Sequence, residues 1–273
     1  MRCPVRLVAS DLDGTIVGSD NRISERTVRA FRNCMDAGIE VVFVTGRPPR
    51  WLTPLREHLG HQGTVICSNG AVTYDLGADR VLKAQSLALT DLLAAAGIIR
   101  ELHPSVRFAA ETVEGFHLGP GFLDPGSGGP LGEIAPKPLD ESLTNADTVV
   151  KFLARVEGIS PDAFLESVSS AVSHLVSATH SAPSVAMLEM SLRGLNKAVT
   201  LADYAASLDI GAADVVAFGD MPNDIQMLDW AGRGYAMASG HPAALAAADR
   251  MAPAFEDDGV AQVLESILRE TDS

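Results

Sequence analysis

The stretch SDLDGTIV, residues 10–17, places two aspartates one residue apart directly after an apolar run. That run, VRLVAS at residues 5–10, is typical of a buried strand. Ionised carboxylates at the end of such a strand are costly unless a cation or hydrogen-bond donors balance them. One candidate for that balance is a magnesium ion, with a phosphate bound beside it, but one short motif does not establish this. A DxD pair alone also fits an ordinary turn, but not an EF-hand calcium loop, which lies between helices and has glycine at its sixth position.

Downstream of this stretch, the chain alternates strand and helix patterns up to about residue 80. Ser24 is a predicted helix N-cap and Gly38 a predicted stop, with apolar residues Val28, Phe31 and Met35 at helical spacing between them. The runs IEVVFV and TVIC are continuous and β-branched, which is typical of strands buried on both faces. Alternation of this kind predicts a parallel sheet with helices on both sides.

The same alternation returns from residue 191 to the end of the chain. NKAVTLADYAASLDIG (196–211) has the spacing of an amphipathic helix that ends at glycine. DVVAF (214–218) predicts a buried strand, MPNDIQMLDWAG (221–232) a helix, and GYAM (234–237) one more strand. Residues 1–82 and 191–273 therefore predict one α/β core domain, with a Rossmann-like, doubly wound parallel sheet.

Between these segments, residues 83–190 follow a different pattern. Strand-like runs such as VRFAAE, GFHL and TVVKFLARV stand beside a helix that begins at Ser160 and Pro161. A loop dense in glycine and proline occupies residues 119–138. We interpret 83–190 as an α+β domain inserted into the core.

Polar residues follow several of the predicted core strands. They are Asp11, Asp13, Thr45, Asp220 and Asp224. In an open parallel sheet, ligands bind beyond the carboxyl ends of the strands, so these side chains are expected to converge. Each fragment also has an ordinary interpretation: TGR at 45–47 fits a strand-to-helix turn, and GDMPND at 219–224 fits a capped helix start.

Lys197 falls in the first turn of a predicted helix, where its charge opposes the positive end of the helix dipole. A solvated side chain is the ordinary interpretation of a single lysine. This one follows EMSLRGLN (189–196) and precedes the strand that ends at Gly219 and Asp220. That position favours a role at the same strand ends.

The composition excludes several classes of partner. The chain has 21 basic and 35 acidic residues and a net charge of −14, which argues against a nucleic-acid backbone or an anionic membrane as the main partner. The three cysteines lack CxxC spacing, which favours free thiols in a reducing cytoplasm. No run of 18 apolar residues and no signal-peptide pattern is present, so we expect a cytoplasmic protein.

Taken together, DLDGT at 11–15, TGR at 45–47, Lys197 and GDMPND at 219–224 resemble the haloacid dehalogenase superfamily. SNG at 68–70 and DDGVA at 257–261 resemble its Cof-type phosphatase branch. The resemblance implies a magnesium-dependent phosphatase that hydrolyses a small phosphomonoester, such as a sugar phosphate or cofactor phosphate. It also implies that 83–190 is a cap domain. One departure is AMASG at 236–240, where the family usually reads AMGNA.

The resemblance assigns the catalytic roles residue by residue. Asp11 would attack phosphorus and form an aspartyl-phosphate. Asp13 would protonate the leaving oxygen and then accept a proton from the hydrolytic water. Lys197 would neutralise the nucleophile and a phosphate oxygen.

The resemblance also assigns the binding roles. The implied phosphate- or substrate-binding residues are Thr45, Gly46, Arg47 and Asn223. The implied Mg²⁺ ligands are Asp11, the backbone carbonyl of Asp13 and Asp220, with Asp224 either in direct contact with the metal or just behind its ligands. For Arg47, a solvated side chain and a substrate contact are equally consistent with the sequence. Magnesium prefers octahedral oxygen ligation, and it would let adjacent carboxylates stay ionised beside a phosphate dianion.

Other classes share parts of this pattern. A phosphosugar mutase would use the same phospho-aspartate, and retention of Asp13 is compatible with it. A receiver-type signalling module also combines acidic residues, a threonine and a lysine on a parallel sheet, but needs neither Asp13 as an acid nor an insertion of this size. A P-type ATPase would need membrane segments that the sequence lacks.

Overall fold

The computed structural model describes residues 5–124 and 130–271, so residues 125–129 of the 119–138 loop lie outside the described residues. The strands are β1 (Leu7–Ser10), β2 (Glu40–Val44), β3 (Thr64–Cys67), β4 (Val72–Asp75), β5 (Arg80–Ala84), β6 (Arg107–Thr112), β7 (Phe116–Leu118), β8 (Val149–Arg155), β9 (Val176–Thr179), β10 (Met187–Leu192), β11 (Val215–Gly219), β12 (Arg233–Met237) and β13 (Arg250–Ala252). The α-helices are α1 (Glu25–Asp36), α2 (Leu89–Leu102), α3 (Leu139–Ser142), α4 (Pro161–Val172), α5 (Lys197–Ser207), α6 (Ile225–Trp230), α7 (Pro242–Ala247) and α8 (Gly259–Thr271). Over the described ranges, no helix combines the length and the apolar character that crossing a bilayer requires.

The chain divides into two compact units, Met1–Lys83 with Asn196–Ser273, and Ala84–Leu195. The return to the first unit comes later than residue 190, where the sequence pattern places it. The reason is that β10 pairs with both β8 and β9 of the second unit. A boundary at residue 190 would fall inside β10 and separate its last residues from β9.

The first unit contains a sheet with the strand order β13-β12-β11-β1-β2-β3-β4-β5. The strands from β13 to β3 are parallel, which confirms the predicted α/β core. β1 is central: Ala9 pairs with Val42 of β2 on one side and with Ala217 of β11 on the other. The carboxyl ends of β1, β2 and β11 therefore lie side by side.

Two features of this sheet differ from the simple alternation that the sequence suggests. β4 runs antiparallel to β3 and, with β5, extends the sheet beyond its parallel part. Between β2 and β3 the chain forms two short helical turns, Pro49–Trp51 and Leu55–Leu59, instead of an α-helix. The core is thus a mixed sheet whose parallel part carries the predicted strand ends.

Helix α1 forms where the sequence predicts it. The Ser24 side chain accepts a hydrogen bond from the Thr27 amide, which satisfies one of the free N–H groups of the first turn. Val28 and Phe31 are buried, whereas Met35 is 36% exposed. The buried face therefore turns away from Met35, which the sequence pattern placed with the other two.

The second unit contains a sheet of order β7-β6-β8-β10-β9, in which the strand pairs are antiparallel. Helix α4 begins as predicted, with Ser160 as the N-cap and Pro161 in the first turn. Buried residues of α2, α4 and the sheet, including Phe152 and Phe164, form one apolar cluster. This arrangement confirms an inserted α+β domain.

The second unit also buries an ion pair. Lys151 Nζ lies 2.8 Å from Glu189 Oε2, and the Ser181 hydroxyl donates to Glu189 Oε1 at 2.7 Å. Both charged side chains are less than 10% exposed. Hydrogen bonds to both carboxylate oxygens offset part of the cost of burying the charges.

Candidate active site

The predicted polar residues follow neighbouring parallel strands of the first unit. Asp11 comes directly after β1, Thr45 directly after β2 and Asp220 directly after β11. The ladder continues into these residues: the Asp11 amide donates to Phe218 O at 2.9 Å, and the Thr45 amide donates to Ile66 O at 2.8 Å. The backbone pairing of the sheet therefore fixes the positions of these side chains.

Lys197 joins two of the aspartates. It is the first residue of α5, and its side chain is fully buried. Its Nζ atom lies 2.6 Å from Asp11 Oδ1 and 2.6 Å from Asp224 Oδ1. Burial alone would lower the pKa of Lys197, but the two carboxylates outweigh it and hold the pKa above its ordinary value. The lysine is a fixed cation at this site.

Asp11 is 5% exposed and carries a pKa well above its usual range. Burial is the main cause, since it disfavours the charged form. Lys197 acts in the opposite direction, and the carboxylates of Asp224 and Asp220 raise the pKa further. The site therefore contains more carboxyl groups than Lys197 alone can keep ionised.

Asp220 is held by residues of the segment that follows Asp13. The Thr15 hydroxyl donates to Asp220 Oδ1 at 3.1 Å. Gly14 has φ +75°, and a Cβ there would overlap Asp220 Oδ2. Burial, followed by the nearby Asp224 carboxylate, raises the pKa of Asp220 to about 7. Glycine at position 14 thus makes room for this carboxylate.

Asp224 uses both carboxylate oxygens within the protein. Oδ1 accepts from Lys197, and Oδ2 accepts from the backbone amides of Asp220 and Met221, each at 3.0 Å. Asp224 is completely buried. These contacts hold Lys197 and the 220–221 backbone in place.

The acidic residues fit a divalent cation. Asp11, Asp220 and Asp224 each offer one carboxylate oxygen, and these atoms lie within 4.8 Å of one another. Three carboxylates share one lysine, so a divalent cation would balance the excess negative charge. Oxygen ligands of this kind are those that magnesium prefers.

Two loops meet around Thr45. The Thr45 hydroxyl oxygen accepts from the Arg47 amide at 3.0 Å, and the Thr45 carbonyl accepts from the Asn69 amide at 3.0 Å. Ser68, Asn69 and Gly70 all have positive φ, and a Cβ on Gly70 would lie 2.5 Å from Asn196 O. The SNG segment therefore packs closely against the residue that caps α5.

Asn223 contacts this second loop. Its Nδ2 donates to Asn69 Oδ1 at 3.0 Å, and both side chains are buried. Its Oδ1 has no hydrogen-bond partner among the described residues. A buried oxygen of this kind is available to accept from a bound group.

The Arg47 guanidinium points to Asp13. Nε lies 2.8 Å from Asp13 Oδ2, and Nη2 lies 2.6 Å from Asp13 Oδ1. Nη1 donates to Asn21 Oδ1 at 2.9 Å and to the Trp51 carbonyl at 3.0 Å. Gly46 lies between this arginine and Thr45 in the chain.

The structure adds residues that the sequence analysis did not assign to the site. Thr15 and Gly14 contact Asp220, and Asn69 contacts Asn223. Part of this was visible in the sequence, because Thr15 lies within DLDGT and Asn69 lies two residues after the end of β3.

The AMASG segment supports the same site through its last residue. A Cβ on Gly240 would lie 2.8 Å from Asp220 O, and the His241 amide donates to that oxygen at 2.7 Å. The Ser239 hydroxyl accepts from the Phe255 amide at 3.2 Å. The segment thus packs against the Asp220 backbone and holds it in place.

Comparison with known proteins shows similarity along most of the chain. Residues 8–264 match the family model described as haloacid dehalogenase-like hydrolase. The chain is 28% identical over 261 residues to the 5-amino-6-(5-phospho-D-ribitylamino)uracil phosphatase YitU of Bacillus subtilis, covering 95% of this chain and 96% of that protein. It is 29% identical over 257 residues to an HMP-PP phosphatase of Yersinia pseudotuberculosis, covering 87% and 85% of the two chains.

The fold is similar to solved structures as well. The haloalkanoate-superfamily phosphatase BT1666 of Bacteroides thetaiotaomicron superposes with a TM-score of 0.80 at 23% identity, covering 97% of this chain and 95% of that one. At 23% identity, this similarity shows a shared fold and no more.

Proposed function

The chain belongs to the haloacid dehalogenase-like hydrolase family, and from this premise we propose that it is a magnesium-dependent phosphatase of small phosphomonoesters that works through an aspartyl-phosphate. The observation that carries the proposal is the buried Asp11 carboxylate, bound by Lys197 at the end of the central strand and close to Asp220. A carboxylate fixed beside a lysine can attack phosphorus without first losing a shell of mobile water.

In the first step, Asp11 attacks phosphorus and Asp13 gives a proton to the leaving oxygen. In the second step, water attacks the same phosphorus, Asp13 accepts its proton, and the bond between Asp11 and phosphorus breaks. Lys197 balances the negative charge of Asp11 during both steps. Its contact with Asp224 supports this role, since it fixes the direction of the ammonium group.

Phosphate binding is assigned to residues other than the aspartates and Lys197. We assign the Thr45 hydroxyl, the Gly46 amide and Asn223 to the oxygens of the phosphoryl group. The position of Thr45 at the end of β2 supports this assignment. The Asn223 Nδ2 group supports it too, since it is buried and carries two hydrogens, of which one goes to Asn69 Oδ1.

Magnesium would be held by Asp11, Asp220 and the backbone carbonyl of Asp13. When bound, it supplies positive charge to the phosphoryl group and to the carboxylates around it. We assign Asp224 to positioning rather than to the metal, because both of its oxygens already accept hydrogen bonds from Lys197 and from backbone amides.

The substrate class follows from the relatives and from the domain organisation. Two relatives, at similar identities of 28% and 29%, are phosphatases of different small phosphorylated metabolites. We infer a substrate of that size for this chain, and we infer that the inserted unit Ala84–Leu195 acts as a cap over it. A cap excludes water and selects the leaving group.

Phosphate release from a panel of sugar phosphates, polyol phosphates and cofactor phosphates tests this proposal. We expect hydrolysis of several esters with Mg²⁺, loss of activity in excess chelator, and recovery when Mg²⁺ is restored. Asp11→Asn is the matched control and should be inactive. Full activity in chelator, or full activity of Asp11→Asn, would contradict the proposal. Isomerised sugar phosphate without released phosphate would indicate a mutase instead.

A further inference from the structure

Arg47 and Asp13 form a two-point ion pair. The two distances, 2.8 Å from Nε to Oδ2 and 2.6 Å from Nη2 to Oδ1, are those of a fork that binds both carboxylate oxygens at once. The arginine side chain is 15% exposed, whereas the aspartate side chain is 57% exposed. Because Arg47 is the more buried of the two, it is the fixed partner. Its two hydrogen bonds restrict the position of the more exposed Asp13 carboxylate.

The remaining guanidinium nitrogen is also held by the protein. Nη1 donates to Asn21 Oδ1 and to the Trp51 carbonyl. Asn21 has φ +62° and lies at the end of the segment that begins at Asp13. Each of the three guanidinium nitrogens thus has a protein acceptor, so the side chain connects the 13–21 segment to the turn at Trp51.

We propose that Arg47 is a positioning residue that holds the Asp13 carboxylate for the water-attack step, and that it is not a ligand of the phosphoryl group. This inference rests on the proposed phosphatase function. In that step the water oxygen bonds to phosphorus, Asp13 takes the proton, and the Asp11 carboxylate and inorganic phosphate are released. The step needs the Asp13 carboxylate in a fixed place, and the guanidinium fork holds it there.

The two possible roles of Arg47 predict different kinetics. A residue that positions Asp13 for the second step affects kcat but leaves kcat/KM for aryl phosphates unchanged, because an aryl leaving group needs little protonation in the first step. A phosphate ligand affects kcat/KM for every substrate and also the inhibition constant of inorganic phosphate.

The experiment is a double-mutant cycle between Arg47→Met and Asp13→Asn, with an aryl phosphate as substrate. For Arg47→Met we expect kcat to fall ~10–10²-fold, the loss typical of a catalytic group displaced by about 1 Å. We expect a burst of phenolate equal to the active-site concentration, with unchanged kcat/KM and unchanged inhibition by inorganic phosphate. In the Asp13→Asn background, adding Arg47→Met should change nothing further.

Two further variants separate positioning from simple charge or stability. Arg50→Met removes the same charge from a neighbouring arginine that lies over the Trp51 ring, and its kcat should equal that of the wild type. Arg47→Lys keeps the charge but not the fork, so it should recover less than half of the lost kcat on a logarithmic scale. A full burst amplitude shows that the variant is folded.

The result that overturns the inference is a multiplicative effect of the two substitutions, with a lower kcat/KM and weaker phosphate inhibition in Arg47→Met. That outcome would place Arg47 on the phosphoryl group and leave the phosphatase proposal intact. Failure of the phosphatase proposal has a different signature, since the wild-type protein would then release no phosphate from any ester.

Discussion

Lys197 Nζ lies 2.6 Å from Asp11 Oδ1, although 186 residues separate the two in the chain. The contact joins the central strand of the first unit to the helix with which the chain re-enters that unit. Because both side chains are buried, the pair contributes to stability only as long as both charges are present. This property gives the first prediction.

We expect Lys197→Met to reduce the free energy of unfolding of the first unit by about 3–5 kcal/mol at pH 8 in chelator, the cost typical of a buried carboxylate left without its partner. Urea unfolding measures this change. Lys83→Met is the matched control, because it breaks an exposed ion pair with Asp203 and should cost at most about 1 kcal/mol. Adding Asp224→Asn to Lys197→Met should recover part of the loss. Equal stability of Lys197→Met and wild type would contradict the prediction.

The second prediction concerns magnesium and pH. The folded-state pKa of Asp220 is about 7, above its ordinary value of 3.8, and that of Asp11 is also raised. Without metal, these groups destabilise the fold progressively as pH rises through that window, because the unfolded chain ionises them more readily. Mg²⁺ binds the ionised form. The increase in Tm that Mg²⁺ causes should therefore grow from about pH 5 to about pH 8.

Thermal unfolding with and without Mg²⁺ across this range measures the effect. In Asp220→Asn the increase should be small at every pH, since the variant lacks that carboxylate. A Tm increase in the wild type that does not change with pH would show that Mg²⁺ does not compete with protons at these carboxylates.

The third prediction concerns Asp13. Asp13→Asn should still be phosphorylated by an aryl phosphate, because the leaving group needs little protonation, but asparagine cannot accept a proton from water. We expect a burst of about one equivalent of phenolate and a steady rate lower by ~10²–10⁴-fold. Stopped-flow absorbance measures both phases. Asp11→Asn should show neither, and a wild-type steady rate in Asp13→Asn would assign the proton transfer to another residue.

The fourth prediction compares two glycines with similar backbone angles. Gly14 has φ +75° and Gly38 has φ +78°, so an alanine at either costs about 1 kcal/mol of strain. Only at Gly14 would the new Cβ reach a carboxylate, that of Asp220; at Gly38 nothing lies within 4 Å. Gly14→Ala should lose more stability than Gly38→Ala, because the Asp220 carboxylate must shift, and only Gly14→Ala should bind Mg²⁺ more weakly in calorimetric titration. Equal Mg²⁺ affinity in the two variants would remove Gly14 from the site.

The fifth prediction concerns the inserted unit. Replacing residues 84–195 with a short flexible linker should leave the first unit folded, because its strands lie outside this range except for the last residue of β5. Aryl phosphates should still be hydrolysed, while metabolite esters should lose rate. Circular dichroism and phosphate release measure these outcomes. Faster hydrolysis of metabolite esters by the shortened protein would contradict the role of this unit as a cap.

The strand ends were predictable from the sequence, because Asp11, Thr45 and Asp220 stand at the ends of runs that are typical of buried strands. Asp11 follows VRLVAS and Asp220 follows the run that ends at Gly219, and β-sheet pairing then brings them together. The parallel core and the inserted domain follow from the same local signals.

Other features depend on contacts that no local pattern encodes. The partner of Arg47 is set by how the 13–21 segment folds back, and the role of Asp224 is set by backbone amides three and four residues before it. β4 and β5 were not predicted, because neither forms a continuous buried apolar run and both strands lie beyond the parallel part of the sheet. The second boundary lies at Leu195 in the structure and at 190 in the sequence pattern, because β10 shows no sequence sign of which sheet it joins.

The two lysines of the buried ion pairs allow the unfolding of each unit to be followed separately. Of its four lysines, Lys197 is buried in the first unit and Lys151 in the second. An amine-acylating reagent reacts only with an accessible, deprotonated lysine, so each of these two positions is modified only when its own unit opens. Mass spectrometry of the peptides that contain them would give a separate opening rate for each unit within one unlabelled, full-length molecule.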